Sequence, residues 1–289
     1  MANKIIFYGL LHINEFDFNL NFKFKNQFDK INTYFLNSLL LAKSLNEKNL
    51  KFILLTNNKT VLEKINIYDF KVNIEEISFN TEIVKQGHFS SCHYRLDIFN
   101  YLSNKDGYSV LVDLDVVAIN NLQKNIYDII ESDNVAFVND ITNNVIPAYG
   151  VEKIQRNLDL VLGENSQSRW YGGDIFFGDS TFFKQLNNTV TFTYNNYKKN
   201  FDILKDQTDE LFISAGIELL KKNTKIKILN TREYGVLDRF WSVNTKHKQE
   251  KFDNIKNNFL VHFPADKIFL SRFALKHYTS NFFLDSYER

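Results

Sequence analysis

Residues 108–117 read Tyr108-Ser109-Val110-Leu111-Val112-Asp113-Leu114-Asp115-Val116-Val117. The stretch predicts an apolar strand with two carboxylates, one residue apart, at its carboxyl end. In open α/β sheets, ligands bind beyond the carboxyl ends of the strands, and side chains two apart on an extended chain share one side. The pattern predicts that both acids face one ion, and Mn²⁺ or Mg²⁺ suits such hard-oxygen ligands. The alternative is a solvated turn without an ion.

Apolar runs of strand length alternate with helical patterns along the chain. Strands are predicted at 5–8, 52–55, 110–112, 135–138, 174–177, 225–229 and 259–263. Helices are predicted at 34–45, 94–102, 180–186 and 209–221. This alternation indicates an α/β fold with a mainly parallel sheet flanked by helices. Because no internal repeat or Pro/Gly/Ser linker interrupts it, we expect one domain across residues 1–289, with an active-site loop in the Asn-, Gly- and Ser-rich stretch 140–170.

The composition excludes several classes of function. With 35 basic and 34 acidic residues, the formal charge is +1, so no broad field favours nucleic acid. Cys92 is the single cysteine, which excludes an intramolecular disulfide and a cysteine-cluster metal site, and we expect a buried thiol there. No apolar run approaches the roughly 20 residues of a membrane span, and the first residues predict a strand rather than a signal peptide. We therefore expect a cytoplasmic protein.

A second cluster precedes the strand predicted at 174–177. It reads Arg169-Trp170-Tyr171-Gly172-Gly173-Asp174. A glycine pair lets the backbone approach a ligand closely, and the two aromatic side chains could stack on a sugar face. The pattern is therefore that of a sugar-binding wall, and the alternative is a glycine-rich turn that opens a core strand.

Two later segments also carry candidate groups. Asp206-Gln207-Thr208-Asp209-Glu210 begins a predicted helix, where Asp206 or Thr208 could cap and acids complement the dipole. In Phe259-Leu260-Val261-His262-Phe263, followed by Lys267, a histidine ends a strand and a lysine stands five residues later. A neutral imidazole can complete a carboxylate site for Mn²⁺, and an ammonium can hold a diphosphate. The alternative for His262 is a structural role.

In this order the segments resemble the GT-A glycosyltransferases, and most nearly the glycogenin-like family eight. Val-Leu-Val-Asp-Leu-Asp looks like the Asp-Xaa-Asp motif of these enzymes, and His93-Tyr94-Arg95-Leu96 resembles the Tyr-Arg-Leu helix before it. The resemblance implies that Arg95 binds the nucleotide-sugar donor. It also implies that Asp174 lies near donor or acceptor hydroxyls, and that Asp209, Glu210 and Asp174 are the catalytic candidates. The sequence departs from family eight at Gly172-Gly173-Asp174, where an Asn-Ala-Gly type sequence is usual.

The resemblance implies a metal-dependent enzyme that moves a hexose from a nucleotide diphosphate-sugar, most simply a UDP-sugar, to a glycan or lipid-linked saccharide. Such transfer would serve bacterial surface polysaccharide or lipopolysaccharide synthesis. An inverting enzyme needs a carboxylate base, whereas a retaining one would use the same carboxylate to stabilise the sugar cation or as a transient nucleophile. We expect a nucleotide-binding half at 1–120, an acceptor and catalytic half at 121–268, and a helical tail at 269–289.

The tail mixes aromatic residues with Arg272, Lys276 and His277, a composition that would suit peripheral contact with the inner face of the cytoplasmic membrane. Packing on the domain is the alternative. Two other functions share parts of the pattern. A sugar nucleotidyltransferase would need a basic, glycine-rich N-terminal loop, but residues 5–19 hold one glycine, Gly9. A non-catalytic glycan-binding module would bind glycans without nucleotide or Mn²⁺.

Overall fold

The computed structural model describes residues 5–13, 24, 26–84, 90–131, 134–205 and 207–288. Its strands are β1 Ile5–Leu10, β2 Lys51–Thr56, β3 Asn73–Glu76, β4 Tyr108–Val112, β5 Val116–Ala118, β6 Val135–Asp140, β7 Tyr171–Asp179, β8 Lys227–Asn230, β9 Leu237–Arg239 and β10 Leu260–His262. Its helices are α1 Gln27–Glu47, α2 Lys59–Ile65, α3 Arg95–Leu102, α4 Lys124–Glu131, α5 Thr142–Tyr149, α6 Val151–Leu162, α7 Ser180–Asn200, α8 Asp209–Asn223, α9 Phe252–Ile255, α10 Lys267–Phe273 and α11 Ser280–Tyr287.

Seven strands form the central sheet in the order β3-β2-β1-β4-β7-β6-β8. The pairs from β3 to β4 are parallel, as are β6 and β8, whereas β7 runs antiparallel to both of its neighbours. The predicted mainly parallel sheet is therefore confirmed. Because β7 is reversed, its first residues lie at the same edge as the carboxyl ends of the parallel strands.

Both faces of this sheet are buried. Along β4, Val110 and Val112 pack into one apolar cluster with α1, and Leu111 packs into the other with α3, α7 and α8. The same alternation continues in β7, where Phe177 and Phe176 face opposite clusters. Strands covered on both faces read as continuous apolar runs, which is why the sequence pattern located them.

A smaller sheet has the order β5-β10-β9 and follows directly from the end of β4. The C-terminal helix α10 packs against α1, and Lys43 of α1 donates to the carbonyl oxygens of Ala274 (2.7 Å) and Lys276 (3.1 Å). The predicted tail is thus helical and contacts the domain. Among the described helices, none is both long and apolar enough to cross a membrane.

One prediction about this architecture is wrong. Residues 140–170 were expected to form an active-site loop, but α5 and α6 occupy most of the stretch. The amphipathic pattern of α6 buries Ile154, Leu158 and Val161, and Gly163 in the left-handed region (φ 80°) ends the helix. The loop is confined to the residues between α6 and β7.

His93 gives the fold a pH dependence that can be measured. Its ring is 0% exposed and packs edge-on against the rings of Tyr194, Tyr197 and Phe212. Burial lowers the pKa of His93 to about 4, and the charge of Arg95 adds to the shift. The unfolded chain therefore binds this proton more readily, so the stabilisation is present above pH 6.5 and is lost as the pH falls towards 4.

We expect this histidine alone to reduce the free energy of unfolding by about 2 kcal/mol between pH 7 and pH 5. Denaturant unfolding of the wild type and of His93→Phe at both pH values would measure it, since the variant should lose that part of the decrease. The exposed-site substitution Phe192→Leu serves as the control and should keep the wild-type pH dependence. If the free energy of unfolding decreased equally in His93→Phe and the wild type between pH 7 and pH 5, the lowered pKa of His93 would be contradicted.

Candidate active site

The ends of β4, β5 and β10 bring the first group of predicted residues together. Asp113 and Asp115 lie between β4 and β5, and β10 pairs with β5 so that His262 is opposite Val116. The next residue, Phe263, donates its backbone N–H to the carbonyl oxygen of Asp115 at 2.9 Å. The smaller sheet therefore fixes the histidine beside the two aspartates.

These three side chains form the metal-capable group of the described residues. Their ligand atoms all lie within 4.8 Å of one another. His262 Nε2 is 3.2 Å from Asp115 Oδ1 and 3.8 Å from Asp113 Oδ2. Two carboxylates and one imidazole can hold a divalent cation such as Mn²⁺ and leave other coordination positions for a ligand.

The second nitrogen of the histidine is held by a buried carboxylate. His262 Nδ1 lies 3.2 Å from Asp174 Oδ2, so Nε2 is the nitrogen directed towards Asp113 and Asp115. A carboxylate behind a histidine is the usual arrangement at metal sites, because it fixes the tautomer and orientation of the ring. With Asp174 in that position, the three-residue group fits a cation.

Basic side chains compensate the charge of both aspartates. Lys267 Nζ donates to Asp115 Oδ2 at 2.5 Å, and Arg95 binds both Asp113 and Asp209. Burial opposes ionisation of Asp115, but Lys267 and His262 outweigh it, and the pKa of Asp115 is lowered. Burial likewise opposes the charge of His262, yet Asp115 raises the pKa of that imidazole to about 9.

Asp174 lies deeper than the resemblance implied. Its side chain is 0% exposed, and it accepts hydrogen bonds from Asn139 Nδ2 and Arg239 Nε, each at 3.0 Å. Burial opposes its ionisation, but Arg239 and His262 prevail and lower its pKa. The structure therefore gives Asp174 no exposed surface with which to contact a sugar, and its visible role is to orient His262.

Glu210 is the more accessible of the predicted catalytic acids. Its side chain is 18% exposed, against 9% for Asp209, which is bound to Arg95. Glu210 accepts hydrogen bonds from Trp170 Nε1 (2.9 Å), Arg239 Nη2 (3.0 Å) and the backbone N–H of Gly173 (3.3 Å). Asp206, which was predicted as a possible helix cap, lies outside the described residues.

The glycine pair is required by the charged side chains of the site. A Cβ atom on Gly172 would lie 2.6 Å from Asp174 Oδ1 and 2.8 Å from Arg239 Nη2. One on Gly173 would lie 2.4 Å from Arg95 Nη1, closer than real Cβ contacts allow. Both positions are glycine because the side chains of Arg95, Asp174 and Arg239 pass so close to the backbone that a Cβ atom would overlap with them.

The two aromatic residues beside the glycines do not form the predicted sugar-stacking wall. Trp170 is 1% exposed and Tyr171 is 2% exposed, and both pack in the core cluster of α7 and α8. Neither ring offers a face to a sugar in this structure, because protein atoms cover both. Trp170 instead orients Glu210, to which its indole Nε1–H donates at 2.9 Å.

Arg239 is the principal site residue that the sequence analysis missed. It ends β9 and bridges Asp174 and Glu210. Burial lowers the pKa of this guanidinium, but the charges of Asp174 and Glu210 outweigh burial and leave the pKa raised. The available signal was the pair Asp238-Arg239 directly after the apolar residues Val236 and Leu237, the same strand-end pattern that located Asp113. Asn139 gave the same kind of signal, since Asn139 and Asp140 directly follow the apolar run predicted at 135–138.

Comparison with known proteins supports the architecture. No protein-family model and no curated protein matches the sequence. A solved structure of the galactosyltransferase LgtC in complex with donor and acceptor sugar analogs matches with a TM-score of 0.53 and 10% identity, over 93% of this chain and 95% of that one. A structure of an active-site mutant of LgtC matches with a TM-score of 0.48 and 12% identity, over 90% and 87%. The first match confirms the GT-A fold that the sequence predicted.

Proposed function

We propose that this protein is a metal-dependent glycosyltransferase that moves a sugar from a nucleotide diphosphate-sugar to a glycan or lipid-linked saccharide. The observation that carries the proposal is the group of Asp113, Asp115 and His262 at the carboxyl end of β4, with Asp174 behind the imidazole. The match to LgtC, whose structure holds donor and acceptor sugar analogs, supports the reaction class.

In this proposal, Asp113, Asp115 and His262 hold Mn²⁺ or Mg²⁺, which when bound neutralises the charge of the diphosphate leaving group. Lys267 and Arg95 add two fixed positive charges beside these ligands, and both are substantially buried. Such buried cations attract the anionic groups of a donor more strongly than a cation in water does, because the local dielectric constant is low. UDP is the nucleotide that the family resemblance favours.

Glu210 is the carboxylate that we place at the reacting sugar. Arg239, Trp170 and Gly173 fix its orientation from three sides, and part of its side chain stays accessible. In an inverting reaction it takes the proton of the acceptor hydroxyl, and in a retaining one it stabilises the positive charge on the sugar ring or attacks it. Asp209 holds Arg95 against Asp113 in either case.

The C-terminal helices support contact with a lipid-linked acceptor. Leu275 is 57% exposed and Phe282 is 44% exposed, and the ammonium of Lys276 lies 5.4 Å from the ring centroid of Phe273 and 5.7 Å from that of Phe282. Apolar side chains beside basic ones suit peripheral binding to anionic lipid. We therefore propose a cytoplasmic enzyme that works at the inner membrane face, in the synthesis of surface polysaccharide or lipopolysaccharide. Arg289 lies outside the described residues.

Calorimetric titration tests the proposal directly. We expect one nucleoside diphosphate of a panel to bind in the presence of Mn²⁺, and its affinity to fall at least about tenfold in EDTA, because the diphosphate loses a neutralising ion. The matching nucleotide-sugar should bind under the same conditions. Absence of nucleotide binding in a folded sample, or binding that is indifferent to EDTA, would reject the metal-dependent transferase and favour a glycan-binding module.

A further inference from the structure

Residues 240–249, which follow β9, adjoin the charged site and take part in none of the roles described above. The backbone N–H of Phe240 donates to the carbonyl oxygen of His262 at 2.9 Å, so β9 and β10 stay paired one residue beyond β9. Ser242 Oγ lies 2.5 Å from Asp266 Oδ1, next to Lys267. The segment is therefore fixed to the elements that carry the metal-capable group.

Strand alternation sets the direction of Trp241. Phe240 packs against Phe252 (centroids 4.9 Å apart) and Tyr287 (6.3 Å), on the side of the C-terminal helices. Its two neighbours, Arg239 and Trp241, therefore lie on the opposite side of the extended chain. On that side Arg239 reaches Asp174 and Glu210, so the indole extends from the same side of the chain as the arginine of the site.

A row of rings connects this indole with the proposed catalytic carboxylate. Trp241 is half-buried, and the ring of His247 stacks on it with centroids 5.5 Å apart and an interplanar angle of 11°. Tyr149 contacts His247 edge-on at 5.7 Å and Trp170 at 5.7 Å, and Trp170 donates to Glu210. Burial and the charge of Arg239 lower the pKa of His247, which favours a neutral ring in the stack.

The segment is also held rigidly. The side-chain amide of Gln249 makes hydrogen bonds with both the N–H (2.8 Å) and the carbonyl oxygen (2.9 Å) of Trp241. Lys248 and Asn144 are joined by two further bonds, Lys248 N to Asn144 O at 2.9 Å and Asn144 Nδ2 to Lys248 O at 2.7 Å. A small cavity remains between α5 and the segment, and its walls include Arg239, Trp241 and His247. A binding surface fixed in advance loses less entropy on binding.

We propose that Trp241, backed by His247, is the platform on which the acceptor saccharide stacks. The inference rests on the proposed function, since it assigns the acceptor side of the same site. Arg239, which pairs with both Asp174 and Glu210, lines the same small cavity as Trp241, so the platform adjoins the residue that orients the proposed catalytic carboxylate. An indole presents a broad apolar face with one polar edge, which matches the C–H face and hydroxyl rim of a pyranose.

Binding measurements on three variants test the platform. The probes are lactose, maltose, cellobiose and N,N′-diacetylchitobiose, added to protein loaded with Mn²⁺ and UDP and followed by saturation-transfer NMR. We expect one disaccharide to bind, Trp241→Phe to retain most of the affinity, and Trp241→Leu to lose about tenfold. Phe192→Leu, which removes an aromatic ring that is 54% exposed on α7, should bind as the wild type.

Fluorescence gives a second, residue-specific measurement. The chain has two tryptophans, and Trp170 is 1% exposed. The disaccharide should change the fluorescence emission of the wild type. It should not change that of Trp241→Phe, which the NMR measurement should show to bind the disaccharide. In a donor-hydrolysis assay, the KM for the UDP-sugar should be the same in Trp241→Leu and the wild type. If Trp241→Leu does not fold, His247→Leu replaces it.

Three results would overturn the platform: equal disaccharide affinity in Trp241→Leu and the wild type, an emission change that persists in Trp241→Phe, or no disaccharide binding to the wild type. The calorimetric titration with Mn²⁺ and nucleotide contains no disaccharide, and the disaccharide measurements use protein that has already been shown to bind the nucleotide. The proposed transferase function and the acceptor platform can therefore fail separately.

Discussion

Asp115→Asn should abolish Mn²⁺-dependent nucleotide binding and reduce the hydrolysis or transfer of a nucleotide-sugar by roughly a thousandfold. The substitution keeps the shape of the side chain but removes the charge that lies 3.2 Å from His262 Nε2 and 2.5 Å from Lys267 Nζ. Calorimetry with Mn²⁺ and UDP, and an assay of UDP release, would measure the two effects.

The matched control is Asp253→Asn. This aspartate is 79% exposed and pairs with Lys256 on the surface, so its replacement should leave both nucleotide binding and turnover at the wild-type level. Full activity of Asp115→Asn with intact Mn²⁺ dependence would disprove the metal-ligand assignment. Loss of activity without loss of metal dependence would place Asp115 elsewhere in the reaction.

Arg239→Met should lower the free energy of unfolding by about 3–5 kcal/mol, because it leaves the buried carboxylate of Asp174 without its main counter-charge. Asp174 is 0% exposed and cannot recover its hydration, and Glu210 loses a 3.0 Å contact as well. Denaturant unfolding at pH 7 would give the difference. Activity should fall too, since Arg239 orients both acids.

Arg169→Met provides the comparison, because it also removes an arginine from an aspartate. Arg169 is 45% exposed, and its partner Asp140, although only 9% exposed, also accepts from Thr142 N (3.1 Å) and Thr142 Oγ1 (2.6 Å). We therefore expect a smaller cost of about 1–2 kcal/mol. Adding Asp174→Asn to Arg239→Met should restore part of the stability, since it removes the uncompensated charge. Equal losses of stability in Arg239→Met and Arg169→Met would contradict the importance of burial for the pair of Arg239 and Asp174.

The sequence was most informative where one strand carries its own signal. The apolar run before Asp113 and Asp115 predicted a strand with the two acids at its carboxyl end. The structure has this strand, and it places His262 beside both acids. Local pattern suffices there because the strand is covered on both faces and its end is the site. The same reasoning applied to β9 would have pointed to Arg239.

The sequence was least informative where burial decides the role of a residue. Trp170 and Asp174 have the chemistry of sugar-binding residues, yet both are covered. Trp170 packs in the apolar cluster of α7 and α8, and Asp174 is enclosed by Asn139, Arg239 and His262. Long-range packing of this kind leaves no mark within a short window. The Asn-, Gly- and Ser-rich composition of 140–170 also misled, although a local signal was present, since Ile154, Leu158 and Val161 recur at the helical spacing of α6.

The reversed strand β7 has a consequence for how new specificities could arise in this protein. Residues 163–170 enter β7 at the same edge as the site, whereas Asp179 at its other end caps α7 directly, accepting from Phe182 N at 2.8 Å. Length variation is therefore tolerable in the entering loop and costly at the exit. Loop grafting aimed at a different substrate should accordingly begin at 163–165, which are exposed and precede the backbone groups that bind Glu218 and the indole that fixes Glu210.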